Sequence, residues 1–203
     1  MNKIDKIIYT IGYAPHSIES FLNLLKKHSI TAIADVRSSP YSQFKPEFNS
    51  DLLQNTLKNE GIAYVFLGKE LGARVEDSEC YINGQVDFNL VSKSHLFREG
   101  IKRLKNGMSN YRVSLLCAEK DPITCHRTLL ICRELARQGI RVKHILFNGS
   151  IEDQIESEIR LLKLHKLDHP NMFKSEQERI DEAYNLQAQK IAYEEKNNNI
   201  GDE

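Results

Sequence analysis

The sequence predicts an α/β protein: an open three-layer sandwich on a mostly parallel sheet of about five strands, Rossmann-like or flavodoxin-like in class. Three observations predict it. Short β-rich apolar runs alternate with longer stretches of helical period, which is the pattern of βαβ units. Glycines sit where strands and helices should stop, at Gly12, Gly61, Gly68 and Gly139. Five apolar runs are too few to close an eight-stranded barrel, so the sheet is expected to stay open.

Each element follows from local pattern. Ile7-Ile8-Tyr9-Thr10-Ile11-Gly12 reads as a buried strand. Ser17 is placed to cap a helix striped by Ile18, Phe21, Leu22 and Leu25. Residues 31–36 form the second expected strand, which runs into the turn-rich Arg37-Ser38-Ser39-Pro40. A helix over about 51–59 is closed by Gly61. Residues 62–67 are the third strand. Residues 72–87 are polar, glycine-punctuated and without a clear period; a connection of that length is expected to be a lid or binding loop, with Gly72 and Arg74 in it. Phe97, Ile101, Leu104 and Met108 line one face of the next helix, and residues 111–117 are the fourth strand. A loop over 118–124 leads to a helix near 128–138, stopped by Gly139, and residues 142–147 are the fifth strand. Asn148-Gly149 is a turn, and Ser150 is expected to cap a last core helix with Ile151, Ile155, Ile159 and Leu162 in register.

Asp168-His169-Pro170 interrupts the pattern, so residues 1–170 are expected to be one α/β domain and 171–203 a charged helical tail. Twelve of the thirty residues from 174 to 203 are charged, and Ile180, Tyr184 and Ile191 give only a thin apolar stripe. The tail is therefore expected to be a largely solvated helix, frayed after Lys196, with Asn197-Asn198-Asn199 in a disordered end.

The chain of 203 residues can bury a sizeable core without staples. Lys+Arg and Asp+Glu are 28 each, so the net charge is zero. This excludes the strongly basic footprint of a protein held mainly by nucleic-acid phosphates, though not a local basic patch. No apolar run is long enough to span a membrane, so no membrane partner is expected. The N-terminus, Met1-Asn2-Lys3-Ile4-Asp5-Lys6, lacks the apolar core of a signal peptide, and a cytoplasmic location is expected. In that compartment Cys80, Cys117, Cys125 and Cys132 read as thiols.

Open parallel sheets bind ligands at the carboxyl ends of their strands. The residues that follow the first four strands are Gly12, Tyr13 and His16; Asp35, Arg37 and Ser38; Gly68, Gly72 and Arg74; and Cys117, Glu119, Cys125, His126 and Arg127. The reactive, charged and glycine residues gather in these places. Cys125 falls at a helix start, where free N–H groups and a neighbouring cation favour a thiolate. Cys125 is thus the candidate nucleophile, with Glu119 and His126 as acid–base partners. Arg37 and Arg127 are candidates to hold an anion, with Gly12 and Asp35 lining the same place. Cys132 and Cys117 read most simply as core residues, and Cys80 as a bystander in an accessible loop. Cys117, Cys125 and His126 form a second candidate, a metal or iron–sulfur site, although the seven-residue gap between the cysteines fits none of the strong zinc spacings. A phosphatase-type loop fails, because Ile123 stands where its arginine is needed. No phosphate-cradling or dinucleotide fingerprint is present, and no cofactor is expected.

The ordered set of Thr10-Ile11-Gly12, then Asp35-Val36-Arg37-Ser38-Ser39-Pro40-Tyr41-Ser42, then Gly61-Ile62-Ala63-Tyr64 with Leu67-Gly68 and Leu71-Gly72, and finally Cys117-Ala118-Glu119 with Cys125-His126-Arg127 resembles the bacterial and archaeal family called domain of unknown function 488. The resemblance covers roughly residues 7–165. It implies a compact α/β domain with its signature residues at one end of the sheet, and no particular reaction. Tyr13 stands where the family often has His, Ala73 where a second glycine is common, and Lys69 where Pro is frequent. The first expectation is an enzyme with a cysteine-containing anion site, acting on a phosphate-bearing or nucleic-acid-derived substrate. The alternative is a non-catalytic module that binds a phosphate, a nucleotide or a nucleic-acid end.

Overall fold

The computed structural model describes residues 6–170 and 172–195. Its frame is a six-stranded sheet flanked by helices on both faces. In chain order the elements are β1 (Ile7–Gly12), α1 (Ile18–Lys27), β2 (Ala32–Asp35), α2 (Ser50–Asn59), β3 (Ala63–Phe66) and the one-turn α3 (Gly68–Leu71). A small hairpin of β4 (Tyr81–Ile82) and β5 (Gln85–Val86) follows, then α4 (Phe88–Lys93), α5 (His95–Gly107) and β6 (Val113–Cys117). A π-helical segment, Arg127–Cys132, continues into α6 (Arg133–Arg137); β7 (Arg141–Ile145), β8 (Ile151–Asp153), α7 (Gln154–Leu164) and α8 (Glu176–Ile191) complete the chain.

The sheet runs in the order β3-β2-β6-β1-β7-β8. All pairings are parallel except that of β7 with β8. This order differs from the two common doubly wound ones in that β6 sits between β1 and β2. Alternate residues of each strand feed two cores. Tyr9, Ile11, Ile33 and Leu116 pack against Phe21 and Leu25 of α1 and Leu53 and Leu57 of α2. Ile8, Ala34, Leu115 and Val142 face the larger core built by α5, the Arg127–Arg137 helix, α7 and α8.

Local chemistry explains most boundaries. Ser17 accepts the Ser20 N–H at the start of α1, and Gly61 and Gly139 take the left-handed conformation that closes a helix. Several expectations are corrected. Ile151 to Asp153 do not begin a helix. The Asn148-Gly149 turn, with Gly149 at φ +77°, folds the chain back so that Leu146 N–H donates to Ser150, and β8 pairs antiparallel with β7 as a sixth strand. The helix starts at Gln154, and Glu156 accepts the Asp153 N–H. Its buried face is therefore Gln154, Ser157, Leu161 and Leu162, while Ile155 is 69% exposed.

The polar segment 72–87 is folded. Asn83 and Gly84, both with positive φ, make the tight turn of the β4–β5 hairpin, a signal that is present in the sequence. The segment is tethered rather than loose: Arg74 N–H donates to Ser38 Oγ, Val86 N–H to Tyr193 O, and Glu195 N–H to Gly84 O. Cys80, expected in an accessible loop, is only 2% exposed, because the hairpin packs it against the main core. The charged helix α8 buries Ala183, Tyr184, Gln187 and Ala188, with Asp181 taking salt bridges from Arg133 and Arg137. It is therefore not a solvated face. The expected fraying after Lys196 and the Asn197-Asn198-Asn199 end lie outside the described residues.

His144 of β7 is fully buried between Thr10 Oγ1 and Gln154 Oε1, each 2.9 Å from a ring nitrogen. Burial, with the Arg127 charge adding to it, pushes its pKa down to about 4. The folded state thus keeps the ring neutral while the unfolded chain takes up a proton below about 6.5. The sign follows: this contribution is complete above that value and is lost as pH falls toward 4. Between about pH 7 and pH 5 the wild type should lose about 2 kcal/mol that His144→Asn does not lose, read from urea unfolding at the two pH values. Equal losses in the two proteins would refute this account of His144.

Candidate functional site

The carboxyl ends of β1, β6 and β2 are neighbours, and the functional side chains rise from them. Gly12 is in register with Cys117, and the pairing runs past the strands: Tyr13 N–H donates to Cys117 O and Ala14 N–H to Ala118 O, both at 3.0 Å. A Cβ on Gly12 would stand 1.8 Å from the carbonyl oxygen of Glu119. That carbonyl accepts from Arg127 Nη1 at 2.8 Å. Gly12 therefore lets the β6 loop close down and fixes where Arg127 points.

The loop after Cys117 returns through a 3₁₀ turn, Pro122–Thr124, capped by Asp121. The turn brings Cys125 back beside Cys117. Glu119 Oε2 lies 2.9 Å from Cys117 Sγ and 3.0 Å from Cys125 Sγ. His126 Nδ1 lies 3.7 Å and 3.8 Å from the same sulfurs. The other ring nitrogen, Nε2, is 3.0 Å from Val36 O, and a carbonyl only accepts, so Nε2 carries the proton. Val36 stands between Asp35 and Arg37, so this bond ties the β6 loop to the end of β2. Arg127 N–H points to Cys125 Sγ at 3.5 Å.

The sequence reading kept Cys117 mainly as a core residue. It is buried, yet its sulfur belongs to the cluster. The signal was its place as the last residue of a strand, two positions before Glu119. Cys132 is a core residue, fully buried in the π-helical segment.

The electrostatics sort the two thiols. Burial would raise Cys125, but the hydrogen bond from Cys117 and the charges of Arg127 and His126 outweigh it and hold the thiol well below its ordinary range. Burial pushes Cys117 up, and its neighbour Cys125 adds to this. The two thiols are thus pushed apart, Cys125 toward the thiolate and Cys117 toward the thiol. Burial and the Cys125 charge raise Glu119, while Cys125 raises His126 against the effect of burial. Cys125 and Arg127 are each 1% exposed, whereas Glu119 is exposed, so the cluster meets solvent on the Glu119 side.

Asp35 and Arg37 form a buried ion pair next to this cluster. Arg37 Nε and Nη2 donate to the two carboxylate oxygens at 2.8 Å and 2.5 Å, and Tyr64 donates to Oδ2 at 2.8 Å. Asp35 is thus occupied, and its effect on a ligand is to aim Arg37. Arg37 lies over the Tyr13 ring at 5.1 Å, and that ring stacks on Phe48. Tyr13 consequently supplies a wall of the site. Arg37 Nη1 and Arg127 Nε are buried without a hydrogen-bond partner among the described residues. Gly72 packs against Ser38 and Gly68, and Arg74 against Tyr193, so both are held at the β3 side of the rim and outside the sulfur cluster.

The molecule is thus an α/β domain that gathers two thiols, an imidazole and a guanidinium at the carboxyl rim of three adjacent parallel strands. It belongs to the family described as Domain of unknown function DUF488, which matches residues 17–133 and so includes Cys117, Glu119, Cys125, His126 and Arg127, with Gly12 and Tyr13 just before it. No curated protein and no solved structure matches the chain.

Two substitutions test how the site is built. Gly12→Ala should cost about 1–3 kcal/mol of unfolding free energy, because the methyl group must displace the Glu119 carbonyl. Asp35→Asn strands the Arg37 charge in the interior and should cost about 3–5 kcal/mol. Denaturant unfolding measures both, and a loss below about 0.5 kcal/mol in either would contradict the packing described.

Proposed function

We propose that the protein is a thiol-dependent enzyme that acts on an anionic, phosphate-bearing substrate of nucleotide or nucleic-acid origin, with Cys125 as its nucleophile. One observation carries the reading. Among the four cysteines, Cys125 has a sulfur that faces a backbone N–H, an imidazole and a buried guanidinium with an unused donor. Of the five buried side-chain atoms without a partner among the described residues, two belong to the arginines of this rim, Arg37 and Arg127, the side chains suited to phosphate.

The chemistry follows from the protonation states. The Cys125 thiolate attacks the electrophilic centre of the substrate, forming a bond to sulfur as the bond to the leaving oxygen breaks. Glu119, whose carboxyl is pushed above its usual range by burial and the Cys125 charge, is the acid that gives a proton to that oxygen. Water then attacks the sulfur-bound intermediate, returns a proton to Glu119 and restores the thiolate. Arg127, with Arg37 farther along the rim, holds the negative charge throughout. A binding module using the same rim needs the two arginines but not the thiolate, so thiol reactivity separates the two readings.

In reduced, chelator-treated protein at neutral pH, iodoacetamide should label Cys125 before Cys80, Cys117 or Cys132, and inorganic phosphate should slow that labelling. Arg127→Ala should weaken the phosphate protection by about tenfold or more, whereas Arg103→Ala, at an exposed ion pair, should leave it unchanged. Peptide mapping by mass spectrometry gives the order. Cys125 inert until the protein unfolds would end the nucleophile reading and favour the binding module.

A further inference from the structure

The two sulfurs and the imidazole have a geometry that thiol chemistry does not require. Cys117 Sγ, Cys125 Sγ and a ring nitrogen of His126 all lie within 4.8 Å of one another, and all three residues are buried. Glu119 Oε2, 2.9 Å and 3.0 Å from the two sulfurs, is their hydrogen-bond partner and stands closer than a co-ligand would, so it must swing outward to serve as a fourth donor. A tetrahedral zinc ion holds sulfur at about 2.3 Å and nitrogen at about 2.0–2.1 Å, which places neighbouring donors roughly 3.5–3.8 Å apart. The Nδ1–sulfur distances, 3.7 Å and 3.8 Å, fall in that range.

His126 is also oriented as a ligand. With its Nε2–H fixed on Val36 O, the neutral ring presents the Nδ1 lone pair to the sulfurs, the outer-sphere arrangement that metal-bound histidines use. Charge balance points the same way. Two thiolates and a carboxylate around a divalent ion leave one net negative charge. Arg127, buried beside Cys125 and with no carboxylate ion-pair partner among the described residues, supplies the positive charge that offsets it. Thiolate and imidazole donors select zinc-class ions over magnesium or calcium.

We propose that Cys117, Cys125 and His126, with Glu119 as a displaceable fourth ligand, bind one zinc-class divalent ion, and that its binding switches off the Cys125 nucleophile. Binding releases to solvent the proton of Cys117 and whichever proton the Glu119 carboxyl and His126 Nδ1 carry, and the ion takes a lone pair from each sulfur, so the bound Cys125 sulfur no longer attacks. The switching half rests on the thiol reading above; the binding half does not. The seven-residue gap between the cysteines is no obstacle, because the 3₁₀ turn at Pro122–Thr124 closes in space what the sequence leaves open.

The test starts from reduced, metal-free full-length protein titrated with Zn²⁺ against a chromophoric chelator. Wild type and Cys132→Ser should each take up one equivalent, with the affinity reduced by about a hundredfold in Cys117→Ser and His126→Ala and about tenfold in Glu119→Gln. Co²⁺ bound to the wild type should show the visible bands of a tetrahedral ion with thiolate charge transfer, a readout that does not depend on whether a variant folds. Equal affinity in wild type and Cys117→Ser, or a cobalt spectrum without thiolate bands, overturns the site. Zn²⁺ should also protect Cys125 from iodoacetamide until a chelator removes it. Zinc binding without protection of a reactive Cys125 overturns the switch and leaves the site standing. An unreactive Cys125 in the metal-free protein refutes the thiol reading and leaves zinc binding intact.

Discussion

Everything at the rim depends on the insertion of β6 between β1 and β2. Parallel pairing on both sides sets the height of Cys117 against Gly12 and leaves the β6 loop to cross between Tyr13 and Val36. The loop can lie that low only because position 12 has no side chain. Arg127 reaches the Glu119 carbonyl and His126 reaches the Val36 carbonyl as a result. A β6 placed at an edge of the sheet would have carried the same residues to a surface with nothing to orient them.

The arrangement handles buried charge in two ways. Arg37 is neutralised by Asp35 in a two-pronged contact that Tyr64 completes, so its position is fixed before any ligand arrives. Among the described residues Arg127 has no carboxylate ion-pair partner, and the neighbouring Cys125, Cys117 and Glu119 favour its charge against burial. Burial alone would hold both thiols neutral. The Cys117 hydrogen bond, the guanidinium and the imidazole together push the Cys125 thiol down against burial, while burial and then the Cys125 neighbour push Cys117 up.

The far side of the molecule stabilises this rim. The Arg127–Cys132 segment is buried on every residue, and it is enclosed by α8, whose Asp181 and Asn185 receive Arg133. The β4–β5 hairpin and the C-terminal strand-like segment around Tyr193 bind each other across the same core. Among the described residues no helix is long and apolar enough to cross a membrane.

The sequence by itself determined the alternation of strands and helices, the glycine stops, the Ser17 cap and the gathering of reactive residues after strands, because each depends on local periodicity or backbone chemistry. The Asn83-Gly84 turn was legible in the same way. Three features were decided only in three dimensions. The strand β8 arises from pairing with β7, a non-local contact that outweighs the helical spacing of Ile151, Ile155 and Ile159. The burial of α8 comes from Tyr184 and its small neighbours, whose stripe is thin in sequence but closed by Arg133, Gln154 and Glu158. The partnership of Cys117 with Cys125 crosses a seven-residue gap that no spacing rule covers. It exists because strand order, a missing Cβ at Gly12 and one 3₁₀ turn bring the two sulfurs to the same oxygen of Glu119.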